Sequence, residues 1–236
     1  DGKRHRYFVD LKITYDTGKT VLVDAGDNGD GNSVVIPYLH QLGIQHLDTV
    51  IASHYHADHI GGLDEIWNAG IKASVAYDRG DSNHTGTASF YDYRDSYATV
   101  RQTIVPGQII DLGNGSTMTC IAVNGSIMNG QNIDINGSAQ RENSASIAWK
   151  IEHKDFDLWL GGDLTGGGNG TTDVETQAGL ACGDVDVYQA NHHGSRTSSN
   201  MVTLCTRFAK MGYVTAAIDY RLTTELIWLA NEATAY

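Results

Sequence analysis

Short apolar runs, bounded by Gly, Asn and Asp, alternate along the chain with stretches of helical spacing. Tyr7 to Tyr15 carries β-forming residues in partial alternation. Asp16-Thr17-Gly18-Lys19 reads as a turn and Thr20-Val21-Leu22-Val23-Asp24 as a second strand, which together predict a hairpin. A polar, Gly-rich loop runs on to Asn32. Ser33 is placed as the N-cap of a helix through Leu42, with Val34, Val35, Tyr38, Leu39 and Leu42 on its apolar face and Gly43 ending it. Leu47 to Ala52 predicts a buried strand, Leu63 to Trp67 a helix start, and Lys72 to Ala76 another strand. Ala88 to Thr103 reads as one helix, carrying Phe90, Tyr91, Tyr93 and Tyr97 as core or groove wall.

Pro106-Gly107 breaks the chain. Ile109-Ile110 and Thr117 to Val123 read as strands, and the Asn, Gly and Ser-rich segment 124–143 as a long mobile loop. Ser146 to Glu152 and Phe156 to Leu160 pair as a hairpin, and Gly166 to Thr172 is a second loop. Val185 to Ala190 is a short buried strand. Met201 to Met211 reads as a helix, Tyr213 to Asp219 as a strand and Thr223 to Ala233 as a last helix. Strands and helices interspersed in this way predict an α/β domain whose sheets are covered by helices. Neither a repeat nor a shift of composition calls for a boundary, so 1–236 is read as a single domain.

Composition narrows the classes. With 236 residues, 41% hydrophobic and 19% charged, the chain is globular and can bury a core without staples. No apolar run reaches the length of a membrane helix. The chain begins at Asp1 without a Met or a signal-type segment, which suggests a processed product, and an extracytoplasmic location is favoured. The net charge of −12 opposes a broad, sequence-blind grip on nucleic acid. Lys3-Arg4-His5-Arg6 and Arg196 are the local basic groups. Cys120, Cys182 and Cys205 have no ligand-type spacing.

Candidate chemistry concentrates in Ser53-His54-Tyr55-His56-Ala57-Asp58-His59-Ile60-Gly61-Gly62. Imidazole and carboxylate are ligands for zinc and related ions. His-x-His puts two rings on one side of an extended segment, and Asp58 and His59 can face the same space from the turn. The ligands then fall into two sets, enough for two adjacent metals. Gly61-Gly62 is expected to let the backbone turn tightly beside them. Asp163 follows an apolar strand and two glycines, where a carboxylate can bridge two cations. Asn191-His192-His193-Gly194-Ser195 follows a buried strand. Consecutive residues on an extended chain point in opposite directions, so one histidine of this pair is expected to enter a ligand shell and the other to meet substrate.

His54, His56, Asp58 and His59 resemble, residue by residue, the His-x-His-x-Asp-His signature of the metallo-β-lactamase superfamily. The stretch Asn191 to Asn200 is similar to the His-His-Gly-Ser block in the hydrolase domain of ComEC competence proteins, and the resemblance spans about residues 6–200. It implies an αββα sandwich with the metals at one sheet edge, Asp24 supporting the metal loop and Asp163 bridging. Two departures stand out. Where the wider superfamily has a third histidine for its first metal, this chain has Asn143-Ser144, as ComEC-type domains do. The tail from Asp219 lacks the Asn/Gly-rich turn and His-Pro of those domains.

The resemblance implies a phosphodiesterase or nuclease with a metal-bridging hydroxide, using two zinc ions, one of them weakly held, or manganese. His54, His56 and Asp163 would hold one ion. Asp58, His59, Asp163 and one of His192 or His193 would hold the other. Asp58, His192 and His193 are the catalytic candidates, and Ser195, Arg196 and Asn143 the substrate contacts. The substrate would be a phosphodiester or another small anion, single-stranded nucleic acid included. Two other classes compete: a lactone or lactam hydrolase of the same fold, and a binding module whose metal site has decayed. An esterase built on a nucleophilic serine is excluded, because no Gly-x-Ser-x-Gly turn exists in the chain.

Overall fold

The computed structural model describes residues 19–83, 86–195 and 197. The proposed Tyr7–Tyr15 strand, the elements predicted from Met201 onward, Arg196 and Cys205 lie outside them. Four strands, β1 (Val21–Val23), β2 (His46–Ile51), β3 (Lys72–Asp78) and β4 (Arg101–Thr103), form an all-parallel sheet in that order. A second sheet contains β5 (Ile109–Gly113), β6 (Ser116–Val123), β7 (Ser126–Ile127), β8 (Ala148–His153), β9 (Phe156–Leu160) and β10 (Val187–Tyr188). Its order is β10-β9-β8-β6-β5, with β7 on β6, and only the β10–β9 pair is parallel. Asn114-Gly115 turns β5 into β6 with both residues left-handed, at φ of 51° and 76°, which matches the twist of a tight hairpin. The helices are α1 (Ile36–Gln41), α2 (Ala57–Ile60), α3 (Leu63–Asn68), α4 (Ala88–Ser96), α5 (Arg141–Ser144) and α6 (Glu175–Cys182).

Alternation along the strands separates three apolar layers. Val21, Val23 and Ile51 point from the first sheet onto Met118, Cys120, Trp149, Ile151, Leu158 and Leu160 of the second. Their neighbours Leu22 and Val50 point the other way, onto Leu39, Ile60, Leu63, Ile66, Phe90 and Tyr97 of the helices. On the far side of the second sheet, Ile121, Ala148 and Trp159 pack on Val174, Ala178 and Cys182 of the α6 region. Helix, sheet, sheet, helix is thus the order of layers, the αββα arrangement expected. No helix among the described residues is long and apolar enough to cross a membrane.

Several boundaries differ from expectation. The first helical segment begins at Gly31 and runs through α1, so Ser33 lies inside it and its hydroxyl donates to Gly29 O. The cap comes from afar: the Glu65 carboxylate accepts from Gly29 N and Asn32 N, at 2.6 and 2.8 Å. The expected Ala88–Thr103 helix stops at Ser96, and Arg101–Thr103 pairs with β3 as an edge strand. β-Branched residues Thr103 and Val105, ahead of Pro106, favour that extension. Segment 124–143 is pinned by backbone bonds, including Ile133 N to Gly125 O at 2.8 Å and Ala139 N to Gly170 O at 3.1 Å, and ends in α5. Helix α6 was not expected, because its apolar residues are small and Gly179 interrupts them.

Helix α6 brings one buried acid against β10. Tyr188 donates its hydroxyl to Glu175, and burial pushes the Glu175 carboxyl up from 4.5 to about 7. Below pH 4.5 the folded and unfolded chains both hold this proton; between there and about 7 the folded chain alone does. Stability should therefore fall as pH rises through that window, by about 3 kcal/mol in all. Glu175→Gln, which keeps an acceptor for Tyr188, should remove this loss. Denaturation curves at pH 5 and pH 8 check it: the variant's advantage should grow at the higher pH, and an identical pH dependence in both proteins would contradict the assignment.

Candidate metal centre

Both sheets aim strand ends at one place. β2 runs out into Ser53-His54-Tyr55-His56, and α2 follows with Asp58 and His59. β9 runs out into Gly161-Gly162-Asp163, and β10 into the tight turn Asn191–Gly194. Asp163 is 3% exposed and lies between the imidazoles. Its Oδ1 is 3.1 Å from His59 Nε2 and 3.6 Å from His193 Nε2. Its Oδ2 is 3.6 Å from both His54 Nε2 and His192 Nε2. Two groups of donor atoms each lie within 4.8 Å of one another: His54, His56 and Asp163, and Asp58, His59 and His193. His56 Nδ1 is 3.1 Å from His54 Nε2, and Asp58 Oδ2 is 3.5 Å from His193 Nε2.

The charges follow from this crowding. Burial, and then His59, holds His54 well below the usual imidazole range. Burial works against the charge of His59, but Asp163 and then Asp24 outweigh it and hold the ring well above that range. Burial would raise Asp163, yet His59 and His54 keep its carboxyl well below the usual carboxylate range. A hydrogen bond from His193, against burial, keeps Asp58 ionised. Burial lowers His192. Neutral His54 and His192 with ionised Asp58 and Asp163 are in the protonation states that zinc or manganese requires, and His59 would release its Nε2 proton on binding the ion while Nδ1 keeps its bond to Asp24. Asn143 Oδ1, buried and without a hydrogen-bond partner, lies beside them and would also suit a cation. The residues present therefore fit divalent metal binding.

Asp24 orients the rings from behind. It closes β1 in a left-handed conformation, φ 60°, which aspartate tolerates better than most residues. His59 Nδ1 donates to Asp24 Oδ2 at 2.7 Å. Ser53 donates from its backbone N and its hydroxyl to the same carboxylate, at 2.8 and 2.7 Å. Since that hydroxyl is spent on Asp24, it accepts from His54 Nδ1, 3.1 Å away. Both rings are thereby held with Nε2 facing the site.

One expectation about local geometry holds by other means than expected, and a second does not hold. Gly61 and Gly62 do turn the chain tightly between α2 and α3, with the dihedrals of a type I turn, φ −60°, ψ −30° and φ −89°, ψ −7°, which do not need glycine's left-handed freedom. Their missing side chains serve close packing: a Cβ at Gly61 would lie 2.4 Å from Asn28 N, and one at Gly62 2.4 Å from Ala25 O. His192 and His193 are not on an extended chain. Both are left-handed, φ 49° and 53°, in a turn tied by His192 N to Gly162 O at 2.9 Å. Strand alternation does not apply there, and both rings turn toward Asp163.

Other predicted residues are distributed around this centre. Asn143 Nδ2 donates to His192 Nε2 at 3.0 Å, while His192 Nδ1 meets the hydroxyl of Thr197. Ser195 is engaged by Thr197, whose hydroxyl donates to Ser195 Oγ at 3.1 Å. The ion pair beneath the loop was missed from sequence. Arg79 and Glu142, 2% and 6% exposed, form a two-pronged bridge at 2.8 and 2.6 Å, and Glu142 Oε1 also accepts from Tyr55 N at 2.9 Å. Sequence reasoning had no signal for it, since the partners are 63 positions apart. Ser53, directly before His54, could have been found as the short hydroxyl that orients a ligand.

Residues 7–192 match the family model described as the metallo-beta-lactamase superfamily. No curated protein matches the chain. Among solved structures, the chain is similar to a metallo-beta-lactamase HARLDQ-motif mutant from Cronobacter sakazakii, with 18% identity and a TM-score of 0.48 over 84% of this chain and 79% of that one. Rm3 metallo-beta-lactamase gives 14% identity and 0.47 over 89% and 81%. Zinc-bound PqqB from Methylobacterium extorquens gives 16% and 0.40 over 64% of this chain, which spans 51% of that protein.

Asp24→Asn separates charge from backbone geometry, because asparagine also accepts a left-handed φ. The variant should fold but bind zinc about 10–100-fold more weakly. Competition with a chromophoric chelator measures this, and undiminished affinity would remove Asp24 from the support of the centre.

Proposed function

The chain belongs to the metallo-β-lactamase superfamily, and on that premise we propose that it is a metal-dependent hydrolase of phosphodiesters. The observation that carries the reading is the pair of donor groups on either side of buried Asp163. His54, His56 and Asp163 would hold one ion; Asp58, His59 and His193, sharing Asp163, would hold the other. Zinc or manganese, when bound, would supply a hydroxide nucleophile from water near neutral pH and offset the charge that builds on the phosphoryl oxygens.

The histidine pair is divided between the two halves. His193 joins Asp58 and His59. His192 faces Asp163 Oδ2, the same oxygen that His54 faces, and it stands against Asn143, where the wider superfamily has a histidine. We assign it to the first ion, in place of the missing ligand, its Nε2 exchanging the bond from Asn143 Nδ2 for the metal. Asp58, ionised and with its side chain 57% exposed, can pass protons between the centre and water. The His-His-Gly-Ser block supports the phosphodiesterase choice over a lactone or lactam hydrolase. Against a decayed binding module, each donor group still offers three ligand-type residues, although the third histidine usual for the first ion is absent.

Exhaustive chelation should abolish hydrolysis of bis(p-nitrophenyl) phosphate, and zinc or manganese should restore it; full activity in verified metal-free protein would end the reading. Zinc titration should find one tight and one loose ion. His193→Ala should lose the ion at Asp58 and His59. His192→Ala should weaken the ion at His54 and His56 by at least about tenfold. If both substitutions affect the same ion, the division of the pair is wrong.

A further inference from the structure

Beside the metal centre lies a cleft of about 410 Å³ whose walls include His56, His192, Asn143, Gln140 and Arg141. Its lining thus joins two residues of the centre, His56 and His192, with one cation, Arg141. Four arginines fall among the described residues, and three are neutralised by carboxylates: Arg79 by Glu142, Arg94 by Asp95, and Arg101 by Asp78 and Asp81. Arg141 forms no ion pair among the described residues; it donates to the backbone carbonyl of Asn83. Its sequence neighbour Glu142 cannot neutralise it, because that carboxylate is turned inward and saturated by Arg79 and Tyr55 N. A guanidinium carries five donors, and one carbonyl leaves most of them for a ligand.

Arg141 and Asn83 also form the near wall of a second cavity, about 440 Å³, which continues with Asn132, Asp134, Asn136 and Ile133. That lining is uncharged apart from Asp134 and the two arginines. It suits a body of hydroxyls, ring nitrogens and apolar edges, and Asp134 repels a further anion. The order of chemistry along the groove is therefore metal centre, single cation, neutral polar chamber.

We propose that Arg141 is an anion subsite that binds a second phosphate of the substrate, next to the phosphodiester held at the metal centre. The proposal rests on the phosphodiesterase reading and names its substrate class: a short, single-stranded oligonucleotide end, whose sugar and base beyond the second phosphate occupy the Asn-lined chamber. One cation rather than a basic track fits a chain of net charge −12, and it limits recognition to a few nucleotides. The salt dependence of binding should be correspondingly shallow, with Arg141 accounting for a slope of about 0.7 in log–log terms.

The test uses zinc-loaded protein and non-hydrolysable phosphorothioate dithymidines as probes, one with no terminal phosphate, one phosphorylated at the 5′ end and one at the 3′ end. Affinity is measured by calorimetry for the wild type, Arg141→Gln and Arg141→Lys. The wild type should bind one phosphorylated probe at least about tenfold more tightly than the plain one, as charge-assisted contacts of a guanidinium do. Arg141→Gln should reduce that advantage to less than about twofold, and Arg141→Lys should restore part of it. Three results overturn the subsite: no preference in the wild type, a preference that survives Arg141→Gln, or equal weakening of all three probes by Arg141→Gln, which marks a merely structural contact to Asn83. If the wild type neither binds the dithymidines nor hydrolyses bis(p-nitrophenyl) phosphate, the phosphodiesterase reading falls and the subsite with it.

Discussion

A carboxylate buried among imidazoles is the constraint around which this structure is arranged. Asp163 is almost sealed from water, and an ionised acid in that position needs positive partners. Four histidine rings reach it, two on each oxygen. They come from different sheets, so the sandwich must bring the ends of β2, β9 and β10 into register before the site exists. Protonated rings such as His59 can balance the charge, but neutral, buried rings such as His54 cannot. The arrangement is best satisfied by cations placed between the rings and the carboxylate.

Braces from outside keep the rings in place. Asp24 holds His59 directly and His54 through Ser53, and all four belong to the first sheet and its loops. Glu142 comes from the chain that enters the second sheet and grips Tyr55 N, between the two histidines of the loop, while Arg79 neutralises it. Removing one member of such a buried pair costs about 3–5 kcal/mol. Left-handed residues cluster here as well: Asp24, Gly162, His192 and His193. Strain of about 1–3 kcal/mol at a non-glycine position persists only where surrounding contacts fix it. Here the bonds to Ser53, Gly162 O and Thr197 do so.

Much of this was legible in the sequence where spacing carries physical meaning. His54 to His59 place four ligand-type residues in six positions, and Leu158, Trp159 and Leu160 alternate between two packed faces. What was hidden depended on partners distant in sequence. Glu65 caps a helix more than thirty residues earlier, and Arg79 meets Glu142 across the molecule. The His192-His193 turn misled because its left-handed backbone is imposed by Gly162 and the following residues, not by local preference. Arg101 to Thr103 shows the same effect: an exposed strand edge on β3 ended a helix that aromatic spacing alone would have extended.

The central claim is that Asp163 stands between two ions held by nitrogen and oxygen ligands alone. Zinc K-edge X-ray absorption on protein loaded with two equivalents tests it most directly. The account predicts imidazole scattering with about two to three rings per zinc, no sulfur shell, and a zinc–zinc vector near 3.5–4 Å. Substitution of Asp163 by Asn should abolish that vector. A sulfur shell, or isolated zinc ions with no metal–metal vector at full loading, would contradict the account.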